Sequence, residues 1–218
     1  MPKRRGYLIE KVADIENLKV ADKEAQKGKH NRAITRHNAQ ADADLKLLQH
    51  WILNPEEFPD PGFSMMEVHN DTGNKTRQIG KQKYFPWRIL PHAIMLVAGQ
   101  DIWKNLIADS FACVPGKGLH FGVKRMKMML RRYPEYKWFW KTDYKKYYQS
   151  IPHDVVMAAF SRRFKDKRFL KLIEVAILNY DSGQEIIDIL NDEIARKERC
   201  RNRRLHKPAD RQLCQELD

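Results

Sequence analysis

Apolar residues recur at helical spacing through the first quarter of the chain. Leu8, Ile9, Val12, Ile15 and Leu18 fall near a 3.6-residue period, and Leu45, Leu47, Leu48, Trp51 and Ile52 make a second amphipathic face. The pattern therefore predicts helices across residues 7–53. Between the two faces, residues 25–37 are rich in Lys, Arg and His, and a solvated helix face is favoured there over direct nucleic-acid contact. Pro55, Pro59 and Pro61 then break the chain. Two extended-looking segments, residues 64–69 and 75–80, flank Asn70-Asp71-Thr72-Gly73-Asn74. Asn, Asp and Gly supply the positive φ of a tight turn, so this stretch predicts a β-hairpin. Residues 89–107 predict an apolar core helix, and residues 119–132 an amphipathic one with Lys124, Arg125, Lys127, Arg131 and Arg132 opposite Val123, Met126, Met129 and Leu130. The methionines read as packing residues. The run Trp138-Phe139-Trp140 predicts a strand carrying Asp143 out of an apolar sheet. Residues 152–164 and 169–180 predict a helix pair, and residues 184–218 one more helix, Ile-rich at its front and cationic at its back. For that last helix a solvated tail is slightly favoured over an RNA-facing role. The sum is a helix-rich α+β chain.

Composition adds a partner class. The 218 residues are enough to bury a core. The chain carries 41 Lys and Arg against 28 Asp and Glu, a formal charge of +13. Such a balance attracts polyanions, most simply nucleic acid, through release of condensed counterions; membranes and acidic proteins share that attraction. Cys113, Cys200 and Cys214 are odd in number, widely spaced and without a Cys-x-x-Cys pair, which fits free thiols in a reducing compartment. No apolar run approaches the roughly 20 residues of a membrane span, and no signal-peptide core follows the basic N-terminus. A soluble, cytoplasmic protein without membrane partners is expected.

Three places carry candidate chemistry. Lys75 and Arg77 fall on the second hairpin strand, with Lys81, Lys83 and Arg88 following, and no acid occurs between Asp71 and Asp101. Uncompensated cations on a protruding hairpin can clamp a triphosphate or a backbone phosphate; an ordinary basic hairpin is the plainer alternative. Pro115-Gly116-Lys117-Gly118 opens a helix N-terminus, a weak phosphate-binding signal that lacks P-loop spacing. The third is Lys141-Thr-Asp-Tyr-Lys-Lys-Tyr-Tyr-Gln-Ser-Ile-Pro-His-Asp154. On these residues alone, Asp143 reads equally as a divalent-cation ligand beside a ring, Tyr148, that shapes a sugar pocket, or as a surface Asp before a helix.

Taken in order, four blocks resemble bacterial reverse transcriptases of the group-II-intron-like, retroelement type. They are Gly73-Asn-Lys-Thr-Arg-Gln-Ile79 with Trp87-Arg-Ile-Leu-Pro-His-Ala-Ile-Met95; Asp109-Ser-Phe-Ala-Cys-Val-Pro-Gly-Lys-Gly-Leu-His120; residues 138–154; and the helix pair that follows. The resemblance covers about residues 7–183 and implies an incomplete right-hand polymerase fold, fingers plus partial palm. The implied division is a helical extension at 1–62, fingers with the hairpin at 63–123, the first part of the palm at 124–183 and a basic helix or tail at 184–218. It implies RNA-directed DNA synthesis from dNTPs on an RNA template or RNA–DNA duplex, with Mg²⁺. Asp143 would be the catalytic metal ligand, aided by the backbone carbonyl of Tyr144, and Tyr148 the steric gate against a 2′-hydroxyl. Arg77, Lys83 and Arg88 would lie near the triphosphate and template, with Lys75, Lys117, Lys124 and Arg125 on the nucleic-acid side. Trp87 stands where the family often has Asp, which loosens the assignment of Arg88 relative to Arg77. No Asp-Asp pair follows Asp143, and the Tyr-x-Asp-Asp hairpin, its preceding Gly-rich block and the thumb have no counterpart. The expectation is a chain truncated before its second carboxylate motif and inactive alone, with a separate chain as a possible source of the rest of the palm. The alternatives are a non-catalytic RNA-binding module or a truncated product without activity.

Overall fold

The computed structural model describes residues 4–60, 64–70, 75–143 and 151–178. Apart from Ile151, these residues form one compact unit. In chain order it contains α1 (Ile9–Val12), α2 (Ile15–Gln26), α3 (Arg32–Asn38), α4 (Ala41–Leu53), a single 3-10 turn (Pro55–Glu57), β1 (Ser64–Asn70), β2 (Lys75–Lys81), α5 (Ile89–Trp103), α6 (Leu119–Arg132), α7 (His153–Arg163) and α8 (Lys167–Leu178). Among the described residues the sheet is the antiparallel pair β1–β2, so the architecture is helix-rich α+β.

The helix boundaries follow from local chemistry. Asp14 accepts a hydrogen bond from the Glu16 backbone N–H at 3.3 Å and so caps α2, and Asn31 accepts from Ile34 N–H at 3.0 Å to cap α3. The helical period of the first segment is realised as a buried stripe of Leu18, Ala21, Asp22 and Ala25 on α2. Helix α2 packs along α5. Fully buried alanines on both helices, Ala21 and Ala25 on α2 and Ala93 and Ala98 on α5, are small enough to let packed helix axes approach. Leu45, Leu48 and Ile52 on α4 join the same core, while Leu47 is partly exposed.

The core also draws in the far end of the described chain. Phe164, Phe169, Leu172 and Ile173 are buried with Leu8, Ile9 and Val12. Backbone bonds tie Arg5 to this region: Arg5 N–H donates to the Arg163 carbonyl at 3.1 Å, and Lys165 N–H donates to the Arg5 carbonyl at 2.7 Å. One carboxylate then serves two helix ends. Asp166 accepts from the N–H groups of Leu8 (2.8 Å) and Ile9 (3.2 Å) through one oxygen, and from Phe169 N–H (3.1 Å) through the other. Burial pushes this carboxyl up, but the backbone donors outweigh it and hold its pKa below the ordinary value.

The hairpin forms with the expected strands, Asn70 pairing with Lys75 and Ser64 with Lys81; the turn residues 71–74 lie outside the described residues. Helix α5 stops at Trp103, a turn short of the span predicted to residue 107. The helix expected at 184–218 also lies outside the described residues.

Candidate nucleic-acid interface

The cations that follow the hairpin are displayed by a loop whose aromatic residues are fixed in the core. Between exposed Lys83 and exposed Arg88, the residues Tyr84, Pro86 and Trp87 are buried. The Tyr84 hydroxyl donates to Asp22 at 2.5 Å. The Phe85 ring lies against His37 at 5.6 Å and Trp51 at 5.7 Å, and Trp87 packs at 5.3 Å from Phe58. Trp87 is thus an anchor that leaves Arg88 outside at the start of α5. Tyr84 is itself held un-ionised: burial and the Asp22 carboxylate push its pKa well above the ordinary value.

Behind that loop lies a buried polar cluster. His37 Nδ1 is 2.7 Å from Asp44 Oδ2, and His37 Nε2 is 3.2 Å from Asp22 Oδ1, an ion-pair contact without an aligned hydrogen bond. Gln26 donates to Asp22 at 3.0 Å and Gln40 to Asp44 at 2.8 Å. Burial pulls the imidazole down, yet the two aspartates outweigh it and raise the His37 pKa. Burial pushes Asp22 up, and the facing His37 imidazole together with the donors Tyr84 and Gln26 outweighs it and lowers that pKa. His37 is therefore no part of a solvated basic face; it joins α2, α3, α4 and the cation-bearing loop. The signal was present in the sequence, since Asp22 falls inside the apolar stripe Leu18, Ala21, Ala25.

The other predicted residues are placed as follows. Lys75 and Arg77 lie on β2, opposite Asn70 and Val68; their side chains lie outside the described part. Lys117 turns back, its Nζ donating to the Ala108 carbonyl at 2.7 Å. The turn reverses at Gly116, whose φ of +73° suits a residue without Cβ. Arg125 pairs with Asp109 at 2.7 Å, so Lys117 closes the loop 108–117 on itself and Arg125 ties that loop to α6. Lys124 is exposed on α6.

Asp143 is exposed, and the expectation of a strand leading to it is not met: residues 137–143 carry no regular structure. Backbone groups form a strand only against a neighbour, and among the described residues the sole sheet is the distant-in-sequence hairpin. Trp138, Phe139 and Trp140 are consequently 94%, 92% and 91% exposed. Tyr144 and Tyr148 lie outside the described residues. Among the described residues no three His, Cys, Asp or Glu side chains cluster to hold a metal ion. Asp143 is a suitable hard oxygen donor for Mg²⁺, but the described donors do not by themselves complete such a site.

Fold and surface define a helix-rich α+β chain with a basic hairpin and loop. No family model matches it. The chain is 32% identical over 134 residues to an uncharacterized 91 kDa protein in the cob intron of Schizosaccharomyces pombe. That match covers 61% of this chain and 16% of the intron protein. The likeness is to a protein encoded in an intron. Among the described residues, no helix is long and apolar enough to cross a membrane.

Proposed function

We propose that this chain is the fingers and first palm segment of a reverse-transcriptase-like protein of intron origin, and that its hairpin and following loop hold RNA and nucleotide phosphates. The observation that carries the reading is the order of the four sequence blocks, reached independently of the match to a protein in an intron. The exposure of Lys83 and Arg88 on either side of a core-anchored aromatic segment supports it, because fixed cations lose less freedom when they bind phosphate.

In this reading Arg77, Lys83 and Arg88 neutralise the triphosphate and the template, while Lys75 and Lys124 extend the cationic track. Tyr148 stacks against the sugar and excludes a 2′-hydroxyl. Asp143 and the Tyr144 carbonyl would ligate Mg²⁺, which in such enzymes stabilises the attacking and leaving oxygens of an in-line displacement. Two cations need more than one carboxylate, and no Asp-Asp pair follows Asp143, so this polypeptide does not catalyse extension by itself. Primer extension on poly(rA)·oligo(dT) with Mg²⁺ tests that statement. Background incorporation, unchanged by Asp143→Ala, is expected; processive, Asp143-dependent extension would overturn it.

A further inference from the structure

One oxygen of Asp22 serves two groups. Oδ1 accepts from the Tyr84 hydroxyl at 2.5 Å and faces His37 Nε2 at 3.2 Å. The next residue, Phe85, stacks its ring on the His37 imidazole at 5.6 Å. Tyr84 and Phe85 lie between the exposed cations Lys83 and Arg88, so the cluster sits directly behind the proposed phosphate-binding loop. We propose that Asp22, His37 and Tyr84 are positioning residues for the Lys83–Arg88 loop, and that the charge on His37 sets how firmly that loop holds phosphate. The inference rests on the reading that this loop binds RNA, and adds regulation to it.

The coupling follows from the protons on the ring. A charged imidazole has two N–H groups, one for Asp44 and one to turn towards Asp22; a neutral imidazole has one. The contact of Nδ1 with Asp44 is the shorter, at 2.7 Å, and is a formed hydrogen bond, whereas Nε2 has no aligned partner. The single proton of the neutral ring therefore stays on Nδ1. The bare Nε2 lone pair then meets the Asp22 carboxylate, on the very oxygen that holds Tyr84. His37 is 2% exposed, so water does not replace what is lost, and two buried carboxylates are left without their cation. The charged or titratable groups facing His37 are Asp22 from α2, Asp44 from α4 and Tyr84 from the loop. Arg88 in turn makes its charge felt at the Tyr84 hydroxyl. Burial opposes the charged ring and the two aspartates outweigh it, so the firmly mounted state extends above pH 6.5 and ends as pH rises through the folded value.

The test measures the affinity of a labelled single-stranded oligo(rA) by fluorescence anisotropy across the range in which imidazoles titrate and above it, with the His37 ring followed by NMR. Affinity should fall by about three-fold or more, the effect of one net hydrogen bond, in a step whose midpoint matches the His37 titration. The other histidines add a decline that every variant shares. Asp44→Asn should move the step and the NMR midpoint together to lower pH. Tyr84→Phe should bind more weakly and without the step while His37 still titrates, because the ring stays buried and only the hydroxyl link is gone. His37→Gln, whose amide cannot be charged, should bind at every pH as the unaltered chain does above the step. Circular dichroism at the assay temperature checks that each variant is folded, and Asp44→Asn with Tyr84→Phe carry the test if His37→Gln is not. Absence of the step would overturn the inference, as would a step that keeps its midpoint in Asp44→Asn or survives in Tyr84→Phe. Lys83→Ala and Arg88→Ala separate the inference from the reading beneath it. Weakened binding in both with no His37-linked step overturns the inference alone; unchanged binding at every pH overturns the two together.

Discussion

At the residue scale, two polar groups organise the unit, one buried and one half-buried. His37 between Asp22 and Asp44 is a charged cluster whose members hold one another in place, and removing one partner strands the others. His37→Ala is expected to cost about 3–5 kcal/mol in chemical denaturation. The pH dependence has a definite sign. The folded pKa of His37 is raised above 6.5, so its contribution is complete below pH 6.5 and is lost as pH rises through the folded value. The folded pKa of Asp22 is lowered beneath 3.8, so its contribution is complete above pH 3.8 and is lost as pH falls through the folded value. Stability from this cluster should thus be greatest between those limits, and Asp44→Asn should flatten the alkaline side of a Tm-against-pH profile. Asp166 is the second organiser. Its replacement by Ala leaves the N–H groups of Leu8, Ile9 and Phe169 without their acceptor, and should cost about 2 kcal/mol, roughly one per helix end. Asp166→Asn, which keeps an acceptor, should recover part of that stability.

At the scale of elements, the anchored loop is the feature on which the proposed phosphate binding rests. Trp87→Ala should cost about 3–5 kcal/mol, the usual range for a buried aromatic. It should also weaken RNA binding at temperatures where the chain stays folded, because Lys83 and Arg88 lose their mounting. Most helices and the hairpin were legible because their signals are local: periodic apolar faces, and two extended segments about a turn rich in Asn, Asp and Gly. The Asp143 strand was not realised, since pairing depends on a neighbouring edge that no local pattern supplies. The Asp22–His37–Asp44 cluster was missed for a related reason: its three members are brought together by helix packing. The double role of Asp166 joins residues 158 apart in sequence at its bond to Leu8, beyond any local rule except the cap it makes with Phe169.

At the scale of the molecule, a core built from residues 8 to 173 carries a cationic loop and hairpin on one element set and an uncovered apolar helix and aromatic run on another. The formal charge of +13 makes some polyanion binding unsurprising, so the account rests on where that binding is seated. The decisive measurement is the salt dependence of single-stranded RNA affinity for the chain and for Arg77→Ala, Lys83→Ala, Arg88→Ala and Asp143→Ala, by filter binding. Each loop or hairpin variant is predicted to weaken binding and to reduce the steepness of log K against log salt by about 0.7 for each phosphate left without its cation. Asp143→Ala should leave both unchanged. Equal affinity and slope across the cation variants would contradict the account.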